Sequence, residues 1–192
     1  MSEVDRKEDR RVRRTKKLLT QALTQLMQKK QPSEITVKEL TELADMNRGT
    51  FYLYYKDIYD MLTKVEDNLF ETLHTIIKQH ESDGLPSDIL PMLKEVFTFV
   101  SENRDMCRVL LSPNGDMSFL HRLNELVRKK CRAFWVSQGM GDEVQYDYHY
   151  SFCVFGCAGL LRAWLGNDCR ETPEDMACLA GQMLKSATLR QA

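Results

Sequence analysis

Between Asn47 and Asp57 the chain reads NRGTFYLYYKD, which sets the guanidinium of Arg48, the hydroxyl of Thr50, the phenols of Tyr52 and Tyr54 and the ammonium of Lys56 within nine residues. Donors of these types suit the oxygens of phosphate. In a helix, Phe51 and Tyr55, spaced i, i+4, can both face a core. Tyr52 and Tyr54 cannot join them, because successive side chains turn by about 100°. Either those two rings point outward as donors, or all four pack into a helical core; the polar residues between them favour the first. A second concentration of charge is RKEDRRVRRTKK, residues 6 to 17, where eight of twelve are basic. It is either a solvated helix end or a further contact to an anion. A third set, His149, Cys153 and Cys157, has the i, i+4, i+8 spacing of one helical face, open to a metal or redox role or to simple packing of small residues. The chain has no HExxH, no paired carboxylate–histidine motif and no phosphate loop, so neither an enzyme nor a cofactor is expected.

Charge is unevenly divided. Residues 1 to 60 hold 13 Lys or Arg against 10 Asp or Glu, whereas the remainder holds 14 against 18, which places an anionic partner at the N-terminal end. The 192 residues are 43% hydrophobic and 29% charged, enough apolar material to bury a core and too much for a chain disordered throughout. No apolar run approaches the roughly 18 residues of a membrane span, and no hydrophobic signal region follows the charged start, so the expected location is cytoplasmic. In that compartment the six cysteines, none in a CxxC pair, are expected to be mostly reduced and buried.

The elements that would position these groups are helices almost throughout, about nine of them, in an all-α chain. Leu19, Ala22, Leu23 and Leu26 follow i, i+3, i+4, i+7 and predict an amphipathic helix from about Arg10 to Gln28. Thr36 with Glu39 three residues later reads as a capping box opening a short helix to about Ala44 that buries Val37, Leu40 and Ala44. ADMN is then a turn, with Asn47 the N-cap of a third helix. Two short helices joined by a tight turn and preceded by a longer one make a helix-turn-helix. Further helices are predicted over 58–81, from a Ser87 cap to Glu102, over 104–111, 118–137 and 143–165, and from Thr172 with Pro173 at its first position.

ITVKELTELADMNRGTFYLYYKDIYDML, residues 35 to 62, resembles the helix-turn-helix of TetR-family transcriptional regulators, whose third helix typically reads threonine, apolar, tyrosine, variable, histidine or tyrosine, aromatic. Thr50, Phe51, Tyr52, Leu53, Tyr54 and Tyr55 occupy those places. ENRDMCRVLLSPNGDMSFL and FGCAGLLRAWLGND are similar to the C-terminal domain of one TetR subgroup. Two positions depart from the pattern: Asp45 stands where glycine is usual in the turn, and Ile58 where a lysine often meets phosphate.

The resemblance implies a DNA-binding domain over residues 1–60 and an effector-binding and dimerisation domain over 61–192. It places Thr36, Tyr52, Tyr54 and Lys56 on phosphates, Lys38, Arg48, Gly49, Thr50 and Leu53 at or near base edges, with Asn47 in the same set, and Arg13 and Arg14 on the backbone. Arg48 fits phosphate and guanine equally well. It also implies a homodimer formed by the last two helices of each subunit, where Phe152, Gly156, Gly159, Leu160 and Ala163 make a face of small and apolar residues. Two heads spaced by about 34 to 36 Å require a palindromic operator in double-stranded DNA. A small-molecule effector among the middle helices would meet Met92, Phe97, Met106, Leu110, Phe134 and Trp135 and release a repressor from its operator; each of these residues also fits an ordinary core. Rival readings are an activator or co-regulator controlled by a protein partner, and a thiol or metal sensor built on His149, Cys153 and Cys157.

Overall fold

The computed structural model describes residues 3–80, 89–112, 117–137 and 143–188. Among them it is all-α, with nine helices and one 3-10 turn. The chain divides into two compact units, Met1–Asn68 and Leu69–Ala192.

The first unit begins with α1, Glu3–Met27, which starts about two turns earlier than its apolar periodicity. Leu19, Ala22, Leu23, Leu26 and Met27 form its buried stripe. After the 3-10 turn Pro32–Glu34, α2 spans Val37–Leu43 and packs on α1. The Thr36 hydroxyl accepts from the Glu39 amide at 3.2 Å, but the Glu39 carboxylate takes Lys30 Nζ at 2.6 Å instead of closing the reciprocal half of a capping box. The buried pair on α2 is Leu40 and Thr41, with Val37 and Ala44 only half-buried. Thr41 tolerates the core because its hydroxyl donates to Val37 O at 2.8 Å.

Asp45 ends α2 in the left-handed region, φ 52°. The amide of Met46 reaches Thr41 O at 2.9 Å and that of Asp45 reaches Glu42 O at 3.2 Å, the bond pair of a Schellman cap. This is the position where glycine would be unstrained; aspartate adopts it more readily than most residues. The next helix, α3, covers only Arg48–Tyr52. Tyr54 and Tyr55 lie past its end, their amides both on Phe51 O at 3.0 Å. α4, Ile58–Gln79, follows and continues beyond Asn68. Its stripe of Ile58, Met61 and Leu62 serves the first unit, and Leu69, Leu73 and Ile77 are buried in the second.

In the second unit α5, Leu90–Glu102, packs along α9, Pro173–Thr188. Leu93, Phe97 and Val100 are buried on α5 and Ala177 and Ala180 on α9; a Cβ on Gly181 would touch Leu93 Cδ1 at 3.7 Å. Thr172 caps α9, its hydroxyl accepting from the Asp175 amide at 3.1 Å. The expected Ser87 cap of α5 lies outside the described residues. α6 is Arg104–Leu110, α7 Met117–Ser137 and α8 Glu143–Gly166. Tyr146 and Tyr150 of α8 stack 5.7 Å apart and donate their hydroxyls to Arg128 O and Asn124 O of α7, each at 2.8 Å. Trp164 meets Phe97 edge-on at 5.3 Å and donates its indole N–H to Glu171 O at 3.1 Å. Beyond α8, Asp168 and Cys169 are both left-handed, φ 57° and 51°. Arg108 holds that turn, donating to Leu165 O at 2.7 Å and to Asp168 Oδ1 at 2.7 Å.

Candidate nucleic-acid interface

The surface built by α2, the turn and α3 sorts the four rings by burial. Phe51 is fully buried, edge-on to Tyr52 at 5.4 Å and tilted against Tyr55 at 5.5 Å. Tyr55 is buried with it, and that burial raises its phenol above the ordinary 10.0. Tyr52 is 58% exposed and Leu53 76%. Tyr54 is half-buried, with Lys16 Nζ standing 5.7 Å over its ring. The basic stretch of α1 is thereby joined to the end of α3: Arg13 and Arg14 are exposed on the same helix as Lys16.

Asn47 Oδ1 accepts from the Gly49 amide at 2.8 Å, so its oxygen is committed to starting α3 while its side-chain N–H groups can donate outward. Thr36, occupied as an acceptor by Glu39, likewise keeps its hydroxyl proton for an external acceptor. Arg48, Gly49 and Lys56 are exposed and Thr50 is half-buried. Lys38 is exposed, only loosely opposed by Glu42 at 3.9 Å. A five-residue helix thus shows Arg48, Gly49, Tyr52 and, at its C-cap, Leu53 to solvent, flanked by ammonium and phenol donors. One donor joins this surface that sequence reasoning does not pick out, Tyr59, 56% exposed in the first turn of α4, and Lys16 of the basic stretch 6–17 is brought over the Tyr54 ring. Tyr59 is legible as a phenol three residues past Lys56; the place of Lys16 beside Tyr54 emerges only in the fold.

The second unit contains the other candidates. Phe97, Met106 and Leu110 are sealed at 3%, 5% and 1% exposure, Met92 is half-buried, and the side chains of Phe134 and Trp135 fall outside the described residues. On α8, Phe152, Gly156, Gly159 and Ala163 are exposed and Leu160 is half-buried. The same face carries Val144, Tyr148 and Phe155, the last two 75% and 74% exposed, together with Phe152 at 72%. Their spacing of four, four and three residues makes one apolar stripe.

His149, Cys153 and Cys157 share α8, but among the described residues no three His, Cys, Asp or Glu side chains could together hold a metal ion. Burial pushes the Cys131 and Cys107 thiols up to about 12 and Cys157 to about 11, and it raises Cys153 as well. Thiols held neutral in this way are poor nucleophiles.

Residues 87–186 match a TetR-type family described as the transcriptional regulator C-terminal region. The chain belongs to the TetR family of transcriptional regulators. Solved TetR-family structures share its fold. A TetR transcriptional regulator from Streptococcus agalactiae is 23% identical, with 92% of this chain and 97% of that one covered and a TM-score of 0.57. The fatty acid degradation regulator FadR from Bacillus halodurans is 13% identical over 92% and 97%, TM-score 0.64. The regulator FadR from Bacillus subtilis, solved in complex with stearoyl-CoA, is 14% identical over 90% and 98%, TM-score 0.62. No curated protein matches the chain in sequence. Among the described residues of this TetR-family member, no helix is long and apolar enough to cross a membrane.

Proposed function

We propose that this TetR-family regulator is a ligand-responsive repressor that binds a palindromic DNA operator as a homodimer. The observation that carries the reading is the division of α3 and its flank into a buried face, Phe51 and Tyr55, and an exposed one, Arg48, Gly49, Tyr52 and Leu53, beside the basic side of α1. On this account residues 1–60 bind DNA and 61–192 form the effector and dimer domain. Tyr52, Tyr54, Lys56, Thr36, Arg13 and Arg14 hold phosphates, while Lys38, Thr50, Leu53 and Gly49 approach base edges, with Arg48 and Asn47 between the two groups. The exposed stripe of α8 meets its own copy, and release follows when an effector favours a conformer whose two heads are wrongly spaced for successive major grooves.

The assignment of faces has a direct test. Arg13→Ala combined with Arg14→Ala should flatten the slope of log K against log salt by roughly 3.6, about 0.9 for each of the four phosphates, two per subunit, no longer neutralised by the dimer. Tyr52→Phe should weaken all DNA sequences alike, because it removes a phosphate donor. Lys38→Ala should relax base preference at one position in each half-site, by roughly 1 to 3 kcal/mol if the lysine reads guanine. An unchanged slope, or a Tyr52→Phe variant with a new preferred sequence, would refute the assignment.

Control by a protein partner draws support from one observation. Phe97, Met106 and Leu110 are sealed, so an effector reaching them has to displace packed side chains, whereas a partner needs no open pocket. Bacillus subtilis FadR was solved with stearoyl-CoA, and an apolar chain of that kind could replace apolar contacts on entry. A thermal shift with small apolar ligands supports the effector reading; none with ligands, alongside a specific protein captured on the operator-bound regulator, supports the partner.

A further inference from the structure

Lys64 lies outside the DNA-reading helix and has no role in the reading above. Its ammonium is used three ways. It donates to the carbonyl of Tyr54 at 3.1 Å and to Asp60 Oδ2 at 2.8 Å, and it stands 5.5 Å from the centre of the Tyr55 ring. The same Asp60 oxygen accepts the backbone N–H of Lys56 at 2.9 Å, and the Asp60 amide donates to Asp57 Oδ1 at 2.8 Å. All of these bonds converge on the few residues where α3 has ended and α4 has not begun. There the Tyr54 carbonyl and the Lys56 amide are met by side chains of α4, those of Lys64 and Asp60.

We propose that Lys64, held by Asp60, is a positioning residue that fixes the segment Tyr54–Lys56 so that its phenol and ammonium meet operator phosphate. The proposal rests on the phosphate role given above to Tyr54 and Lys56. Lys64 itself is not a phosphate ligand: its ammonium, though exposed, is engaged by the Tyr54 carbonyl and by the Asp60 carboxylate, which would repel an incoming phosphate. An exposed ion pair at i, i+4 contributes little to stability, so the consequence of this one is geometric. From the other side Lys16 of α1 lies over the Tyr54 ring, so ammonium groups from two helices bracket that residue. Bonds from Lys64 and the Lys56 amide hold the Asp60 carboxyl below its ordinary 3.8, so it is ionised through neutral pH.

The test uses the full chain and two readouts. Lys64→Met and Asp60→Asn should each weaken operator binding by roughly three- to tenfold. The salt slope should stay unchanged, whereas removing a true phosphate ligand lowers it by about 0.9 for each subunit of the dimer. Lys64→Arg should recover most of the affinity. Tyr54→Phe should cost much less in the Lys64→Met background than in the wild type. Without DNA, amide exchange at Tyr55 and Lys56 should accelerate in Lys64→Met while exchange along α1 does not change. A lowered slope, additive effects of Lys64→Met and Tyr54→Phe, or unaltered exchange would overturn the proposal. Absence of operator binding by the wild type would strike the DNA reading instead, and the exchange experiment would still decide whether Lys64 orders the segment.

Discussion

Gly159→Arg is expected to produce a folded monomer that no longer binds its operator. A Cβ built at Gly159 meets nothing within 4 Å, and the same holds at Gly156, so the subunit has no internal reason to reject a side chain there. Arginine is the better helix former by roughly 0.8 kcal/mol, which favours α8 of the isolated subunit. The damage arises only if this face is covered. In a two-fold interface each patch meets its own copy, so a single substitution places two guanidinium groups in one contact. Burying such charges without partners costs several kcal/mol. Sedimentation and operator binding measured on one preparation give the answer. A Gly159→Arg variant that remains a dimer would show that the stripe of Tyr148, Phe152 and Phe155 is not the interface.

Phe51→Ala is the second change of large effect, and it should separate the two units. Phe51 is fully buried against Tyr52 and Tyr55, and truncating a buried phenylalanine typically costs roughly 3 to 5 kcal/mol. That is a large share of the stability a unit of this size can hold. The chain's two tryptophans, Trp135 and Trp164, both belong to the second unit. Tryptophan emission therefore reports Leu69–Ala192, and helicity reports the whole chain. Heating Phe51→Ala should give an early loss of part of the helicity before the tryptophan transition, together with loss of DNA binding. Coincident transitions at an unchanged midpoint would show that Phe51 does not hold the reading unit together.

What the sequence discloses and what it hides have different physical causes. Leu19, Ala22, Leu23 and Leu26 announce α1 because one apolar stripe against a charged remainder has only one burial that suits it. Asn47 and Thr172 announce helix starts because a side-chain cap is a local event, decided within three residues. The front of α1 stays hidden because it carries charge but no apolar period. Residue types extend the third helix over Tyr54 and Tyr55, yet α3 ends at Tyr52; the two amides share one acceptor, Phe51 O, a detail of chain geometry that residue types do not encode. On α8, apolar residues lie on opposite faces: Tyr146, Tyr150 and Trp164 inward, Tyr148, Phe152 and Phe155 outward. Periodicity cannot say which of two apolar faces the subunit buries, and the small residues at 156, 159 and 163 indicate only part of the outer one. For Lys64 only the i, i+4 pairing with Asp60 is legible, since its other partners are a carbonyl ten residues away and a ring whose position depends on where α3 stops.

The central claim, that two copies of the α3 surface read DNA together, is tested most directly by selecting bound sequences from a pool of random duplexes and weighing the complex formed on the winner. Paired reading heads predict an inverted repeat whose half-sites are centred about one helical turn apart or a multiple of it, roughly 34 to 36 Å per turn, bound by an even number of subunits. Selection of no sequence, or of a single asymmetric half-site bound by one subunit with full affinity, would contradict it.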